Sequence, residues 1–212
     1  MVQVPRRLRR GELPVDTTAL AQFLIGKTLV RDHPDGTMSG RIVETEAYVV
    51  GDAACHGFRG LTPRNHALFL ERGHAYVYFI YGCWHALNVC GEKAGVGAGV
   101  LLRSIEPVAG IELMRARRSV RRDVDLARGP GRLATALDID RRLNGADLCA
   151  PGPLWLGTEV RPTGRIGRSR RIGLSREVER KLRFFERDNP YVSGTRGLNG
   201  HVRTTIAARS AE

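Results

Sequence analysis

Apolar residues recur along the chain in short stretches with either helical or strand-like spacing. Helical spacing predicts four helices, at 16–26, at 62–69, from Glu106-Pro107 onwards and at 133–138. Continuous or alternating apolar runs predict strands at 27–31, 40–48, 74–81, 84–90 and 97–105. The connections have hairpin lengths and no βαβ unit repeats. We therefore expect an α+β fold, a mixed and mainly antiparallel sheet with flanking helices and a protruding hairpin.

The chain has 212 residues, enough for one sizeable core. We expect a mobile basic arm at 1–12, a single domain at 13–195 and a C-terminal tail at 196–212. No apolar stretch approaches the roughly 20 residues of a membrane span, and none follows the N-terminal arginines. We therefore expect a cytoplasmic protein with no membrane partner. The four cysteines have neither CxxC nor zinc-like spacing, which favours reduced thiols over a metal site.

Charge narrows the choice of partner. Lys and Arg number 34 against 22 Asp and Glu, which gives a formal net charge of +12. Only three of the 34 are lysines, so the positive charge is almost wholly guanidinium. Arginine binds phosphate in a bidentate manner, which favours a polyanionic partner. A general bias toward arginine codons is the alternative explanation.

The predicted strand at 40–48 carries the first chemical signal. Ile42, Glu44, Glu46 and Tyr48 are expected on one face of it. The two carboxylates would then lie roughly 7 Å apart. A carboxylate held beside an aromatic ring is suited to act as a general base on a bound water. A solvent-facing row of charges is the alternative for an isolated Glu-x-Glu.

The predicted hairpin at 74–90 carries the second signal, since Tyr76, Tyr78 and Tyr81 lie within six residues. Alternation between core and surface would explain the first two. A tyrosine at a hairpin tip, however, has little core to fill, and in a basic protein it is suited to enter a DNA groove and unstack bases. If Tyr78 faces Tyr48, the two rings form a slot for one planar base, as enzymes that flip a base require.

Several uncommon runs carry a family resemblance. They occur in order between about Leu20 and about Ser193, and they are RIVETEAY at 41–48, TPRN at 62–65, YVYFIYG at 76–82, LNV at 87–89, VLLRSIEP at 100–107 and GPG at 129–131. Together they closely resemble the alkyladenine DNA glycosylase (3-methyladenine DNA glycosylase) family.

The resemblance implies a monofunctional hydrolase of duplex DNA, and we expect a monomer because a protein that engages one flipped nucleotide needs no partner subunit. Such an enzyme flips alkylated or deaminated purines out of the helix and cleaves their N-glycosidic bond, leaving an abasic site. Substrates of this kind are 3-methyladenine, 7-methylguanine, hypoxanthine and ethenoadenine. The resemblance implies neither a metal nor an organic cofactor.

The same resemblance assigns roles to residues of this chain. It implies that Glu46 activates the water and that Arg103 helps to hold it. It implies a base pocket formed by Tyr48, His56, Tyr78, Asn88 and Ile172, the last through a backbone carbonyl that contacts the water. Tyr81 would intercalate through the minor groove. The DNA backbone would be contacted at Thr62, Arg64, Arg128 and Gly131.

Two other functional classes remain as alternatives. A non-catalytic damaged-DNA-binding protein on the same scaffold would keep the basic surface and Tyr81 but would lack the base, whereas Glu46 and Arg103 are both present. An RNA-binding module would display stacking aromatics on an open sheet without a Glu46–Tyr48 pair. None of the three lysines falls in the pocket motifs, so water is expected to be the nucleophile rather than a lysine amine.

Overall fold

The computed structural model describes residues 4–80, 82–195 and 197–199. Within them lie eight strands: β1 Thr28–His33, β2 Gly36–Tyr48, β3 Ala75–Ile80, β4 Trp84–Cys90, β5 Gly99–Ala109, β6 Leu154–Gly157, β7 Ile166–Ser169 and β8 Arg183–Glu186. The α-helices are α1 Thr17–Phe23, α2 Ile111–Arg117 and α3 Pro130–Ala136. Single turns of 3-10 helix occur at Arg10–Glu12, His66–Phe69, Asp123–Asp125 and Arg141–Leu143.

All strand pairs in the described part of the chain are antiparallel, in the order β3-β4-β5-β2-β1-β6. The long strand β2 organises this sheet. Along one edge it pairs with β5, and along the other it pairs first with β1 and then, over 44–46, with β8, which also pairs with β7. The α+β class and the mainly antiparallel sheet are thus confirmed.

The main core lies where the three helices pack on the sheet. Leu20 of α1, Met114 of α2 and Leu133 of α3 belong to one buried cluster with Leu102 of β5. A second, smaller cluster includes Leu68 and Tyr76, with Tyr48 and Tyr78 packed against it. It lies where the long loop between β2 and β3 covers the sheet, and it supports the site described below.

A double irregularity between β2 and β5 changes which residues share a face. Ile42 pairs with Ile105 and Glu44 with Ser104, which leaves Val43 without a partner; Thr45 then pairs with Leu102, which leaves Arg103 without one. A one-residue slip moves side chains to the opposite face.

The expectation that Ile42 shares a face with Glu44 was therefore wrong. Ile42 belongs to the main core together with Ala47, whereas Val43 packs with Phe185 and Val192 on the other side.

Other boundaries also differ from the sequence prediction. Glu106 and Pro107 do not open a helix, because β5 runs on to Ala109 and α2 begins only after Gly110, which has a φ of +70°. Strand β1 extends to His33. The helix predicted at 62–69 is a single 3-10 turn at its end. The start of α1 is capped by Asp16, whose side chain accepts a hydrogen bond from the Ala19 backbone N–H.

The N-terminal segment packs against the sheet edge over its described part, contrary to the expectation of a mobile arm. The Leu8 N–H donates to the Leu156 carbonyl at 2.8 Å, and the Leu8 side chain is buried. Arg10 pairs with Asp147. Residues 1–3 lie outside the described residues, as do 196 and 200–212 of the predicted tail. The domain limits at 13 and 195 stay a prediction.

Gly57 tests the packing of the loop between β2 and β3. A Cβ at this residue would lie 2.1 Å from the Gly97 carbonyl oxygen. We expect Gly57→Ala to lower the free energy of unfolding by about 1–3 kcal/mol, because the backbone must move to relieve the overlap. Urea titration measures the change. Gly11→Ala is the control, since no atom lies within 4 Å of its Cβ. Equal stability of the two variants would contradict the close approach.

Candidate active site

A pocket opens where the loop after β2 meets β3 and β4. Tyr48, at the end of β2, lines it together with His56 from the loop and Tyr78 from β3. Asn88 of β4 also lines it, and its Nδ2 donates to the Tyr76 carbonyl at 3.3 Å. Four of the five base-pocket residues expected from sequence thus line one pocket. The fifth, Ile172, lies beside it and contacts Glu46.

Aromatic rings hold one another in place along the pocket wall. The rings of Tyr76 and Tyr78 stack, with centroids 5.3 Å apart and an interplanar angle of 27°. His56 lies edge-on to Tyr78 at 4.5 Å, and its Nδ1 is 2.9 Å from the Tyr76 hydroxyl. This side of the pocket is therefore a preformed surface of aromatic side chains, suited to receive a flat apolar ring.

His56 is held in its neutral form. Burial lowers its pKa, and the nearby cation of Arg64 lowers it further. The Asn65 side chain fixes the loop around it by donating to the carbonyls of His56 and Gly60 at 2.8 and 3.0 Å. The neutral imidazole therefore adds no positive charge to the pocket at neutral pH.

Glu46 is fully buried at the base of Tyr48. Its Oε2 accepts a hydrogen bond from the Tyr48 hydroxyl at 3.0 Å, and its Oε1 accepts one from the Ile172 backbone N–H at 2.7 Å. Arg103 Nη1 lies 3.2 Å from the same Oε1. Burial and the neighbouring Glu46 carboxylate raise the pKa of Tyr48 well above its ordinary value, so its hydroxyl keeps its proton and donates.

Arg103 reaches both glutamates of the motif. Its Nε donates to Glu44 at 2.8 Å, while its Nη1 faces Glu46. Burial alone would lower the pKa of Arg103, but Glu46 and Glu44 raise it. The irregular pairing of β5 at residue 103 places this side chain between the two carboxylates.

Glu44 holds Arg103 in place through a set of buried hydrogen bonds. Its two oxygens accept from Arg103 Nε, from Arg183 Nε at 2.7 Å, from the Ser104 hydroxyl at 2.9 Å, and from both the backbone N–H and the hydroxyl of Ser193. Burial alone would raise the pKa of Glu44, but Arg103, Arg183 and these hydrogen bonds lower it to about 2. Glu44 is therefore an anchor that is ionised at neutral pH, whereas Glu46 is bonded to the hydroxyl of Tyr48, which lines the pocket.

A further buried ion pair was not foreseen from sequence. Arg171 donates to both oxygens of Asp52 and, at 3.0 Å, to the Ala47 carbonyl, and its guanidinium carbon lies 4.6 Å from the centroid of the Tyr48 ring. The only sequence signal for Arg171 was its position directly before Ile172, a predicted pocket residue. The contact observed for Ile172 is the hydrogen bond that its N–H donates to Glu46, and the contact of its carbonyl with a water stays a prediction.

The four predicted DNA-backbone residues lie around the pocket rather than in it. The Thr62 N–H donates to the Asn65 side chain at 2.7 Å, and Arg64 is exposed beside it. Arg128 donates to the Val192 carbonyl and borders a groove that Arg103 also lines. Gly131 packs on Trp84, since a Cβ there would lie 3.0 Å from that side chain.

Tyr81, the predicted intercalating residue, lies outside the described residues. Among those described, no helix is long and apolar enough to cross a bilayer, and no cluster of three or more His, Cys, Asp or Glu side chains is arranged to hold a metal ion.

Comparison with known proteins gives a consistent result. The family model described as methylpurine-DNA glycosylase matches residues 12–190. A protein of Mesorhizobium japonicum is 62% identical over 191 residues, which cover 90% of this chain and 92% of that protein. One from Paraburkholderia phytofirmans is 51% identical, with 90% of each chain covered, and one from Methanocella arvoryzae is 45% identical, with 84% and 90% covered. All three bear the name "Putative 3-methyladenine DNA glycosylase".

The anchoring role of Glu44 predicts how stability depends on pH. Its pKa is about 2 in the folded protein and 4.5 ordinarily, so its stabilisation is full above pH 4.5 and is lost as the pH falls toward 2. This loss amounts to about 2–3 kcal/mol. We expect Glu44→Gln to be less stable at neutral pH and to lose clearly less stability across that window.

Urea unfolding at several pH values measures both slopes. Glu112→Gln removes an exposed carboxylate and should keep the wild-type slope. An unchanged slope in Glu44→Gln would show that Glu44 does not carry the acid sensitivity.

Proposed function

The chain belongs to the methylpurine-DNA glycosylase family, and we propose that it removes alkylated or deaminated purines from duplex DNA by hydrolysing their N-glycosidic bonds. As a member of that family it is a 3-methyladenine DNA glycosylase, an enzyme of base excision repair whose substrate is DNA. The observation that carries the proposed chemistry is a fully buried glutamate, Glu46, paired with Arg103 and bonded to the tyrosine that walls the pocket.

Glu46 is the proposed general base. A water bound between Glu46 and the sugar of a flipped nucleotide would give up a proton to the carboxylate as it attacks C1′. Positive charge develops on the sugar as the bond to the base breaks, and the Glu46 carboxylate stabilises it. The Tyr48 hydroxyl and the Ile172 N–H occupy one side of each Glu46 oxygen and so fix its orientation toward the pocket.

Water is the proposed nucleophile because no lysine lines the pocket in the described part of the chain. The three lysines of the chain, Lys27, Lys93 and Lys181, are absent from the pocket lining, and Lys27 pairs with Glu159. An enzyme that also cleaves the strand through a Schiff base needs an amine at C1′. The product is therefore an abasic site in an intact strand.

Base selection rests on the pocket walls. A 3-methyladenine or 7-methylguanine nucleotide is cationic, and the faces of Tyr48 and Tyr78 attract a cation by about 0.5–2 kcal/mol per contact. Ordinary purines lack this charge and remain paired, which costs a few kcal/mol to undo. Asn88, buried in the pocket, is proposed to disfavour normal guanine by crowding its exocyclic amine.

DNA binding is proposed for the surface around the pocket mouth. The protein carries a net charge of +12, which gives a salt-dependent attraction to any duplex. Thr62, Arg64, Arg128 and Gly131 are proposed to contact phosphates. The β3–β4 hairpin carries exposed Phe79 and Trp84 near its turn, and we propose that it enters the minor groove with Tyr81 filling the space of the flipped nucleotide. One copy suffices for one flipped base, so a monomer is proposed.

Glu46→Gln tests the proposed base. The amide keeps the shape of the side chain but cannot accept a proton, so we expect excision from a duplex with one alkylated purine to fall at least about 100-fold. Lesion binding, measured by fluorescence anisotropy, should persist. Glu112→Gln, on the exposed face of α2, is the matched control and should keep wild-type activity. Wild-type rates in Glu46→Gln would assign the base to another residue. Binding without any wild-type excision would favour a non-catalytic damage binder.

Tyr81→Ser tests the proposed intercalation. Without the ring to fill the vacated space, the flipped state is less populated, so excision from duplex DNA should fall by about tenfold or more. Excision from single strands needs no such filling and should be unchanged. The two rates of one variant thus control for each other. Equal losses on both substrates would indicate damage to the pocket, and an unchanged duplex rate would remove Tyr81 from the flipping step.

A further inference from the structure

The ring of Tyr48 has a buried cation on one of its faces. The guanidinium carbon of Arg171 lies 4.6 Å from the ring centroid, within the range of a cation–π contact. The Arg171 side chain is fully buried, and its two Nη groups donate to Asp52 and to the Ala47 carbonyl. The cation is therefore locked over the ring rather than sampling solvent.

Arg171 contacts the ring of Tyr48 without lining the pocket. Tyr48 lines the pocket, as does Leu174, but Arg171 does not. A base that stacks on Tyr48 from the pocket would thus have the phenol ring between itself and the guanidinium. The ring is shared by two possible partners, one of which is permanently positive.

A cation on one face of an aromatic ring makes the other face less attractive to a second cation. The ring's electron density is drawn toward the guanidinium, and the two positive charges also repel each other across the ring. The carboxylate of Asp52 opposes both effects, because it lies against the same guanidinium. A neutral purine is affected far less, since its stacking does not depend on net charge.

We propose that the Arg171–Asp52 pair is a specificity determinant: Arg171 weakens the preference of Tyr48 for cationic purines and so broadens the enzyme toward neutral lesions, while Asp52 limits that weakening. This proposal rests on the proposed function. Neither residue contacts the base. Both act through the Tyr48 ring.

The measured quantity is the ratio of kcat/KM for a duplex containing one 7-methylguanine to that for the same duplex containing one hypoxanthine. Effects of protein charge on DNA affinity cancel in this ratio, because the two duplexes differ only at the lesion. The paired variant Arg171→Met/Asp52→Asn removes the cation without leaving a buried charge unpaired. We expect the ratio to rise about three- to tenfold.

Asp52→Asn alone should change the kcat/KM ratio in the opposite direction. It keeps the guanidinium and removes the charge that offsets it, so the ratio should fall below the wild-type value. The alternative is that both variants displace Glu46 through Ile172 and so weaken catalysis. A cationic lesion is the better leaving group and suffers less from such a loss, so the ratio would then change in the same direction in both variants. The sign therefore separates electrostatics from misplacement. If the paired variant does not fold, the direction in Asp52→Asn decides alone.

Arg168→Met is the matched control. Its guanidinium carbon lies 5.6 Å from the Phe184 ring on β8, away from the pocket, so the substitution removes one ring-stacked guanidinium, as Arg171→Met does, but at a ring that does not line the pocket. Its ratio should equal that of the wild type. The proposal is overturned if the ratios of the paired variant and of Asp52→Asn change in the same direction or do not change. It is also overturned if the wild type excises 7-methylguanine but no neutral lesion. A wild type that excises neither lesion removes the proposed function itself.

Discussion

The buried ion pairs between β2 and its two neighbours are the constraint on which the site depends. Glu44, Glu46, Arg103 and Arg183 are all buried, two carboxylates against two guanidinium groups. A buried charge is tolerated only when it is paired and hydrogen-bonded, so none of the four is dispensable to the others. Because Glu44 holds one edge of Arg103, the other edge is directed at Glu46. The position of Glu46, the proposed general base, is thus set by buried partners within the sheet rather than by exposed side chains.

The requirement that a buried charge be paired sets four arginines of this chain apart. Arg41, Arg103, Arg171 and Arg183 are buried, and each is paired with a buried or nearly buried carboxylate. Their charge is used inside the protein and does not attract DNA. These four arginines and the four buried carboxylates beside them are neutral overall, so the net charge of +12 comes from the other residues of the chain; the exposed arginines among them make weak ionic contacts that leave them available to phosphates. The high arginine content serves two separate physical purposes.

Periodicity and turn residues predicted most of the sheet because those signals are local. The β3–β4 hairpin and the antiparallel class both follow from neighbouring residues. The face assignment of Ile42 failed because the irregularity opposite Arg103 depends on which residues of β5 pair with β2, and a period of two cannot reveal it. Arg171 and Asp52 were missed for the same reason, since 119 residues separate two side chains that meet only in the fold. Leu8 shows the reverse case: its segment is rich in arginine and was taken for a mobile arm, yet a single buried leucine and a backbone bond to Leu156 hold it to the sheet.

The central claim is that the Glu46 site directs a water molecule to the sugar and cleaves only the bond to the base. Mass spectrometry of the products formed in ¹⁸O-labelled water, from a duplex with a single 7-methylguanine, tests it most directly. The account predicts free 7-methylguanine and an unbroken strand whose abasic sugar carries the label as it forms, with no protein–DNA adduct after borohydride treatment. A borohydride-trapped adduct, or the absence of released base, would contradict it.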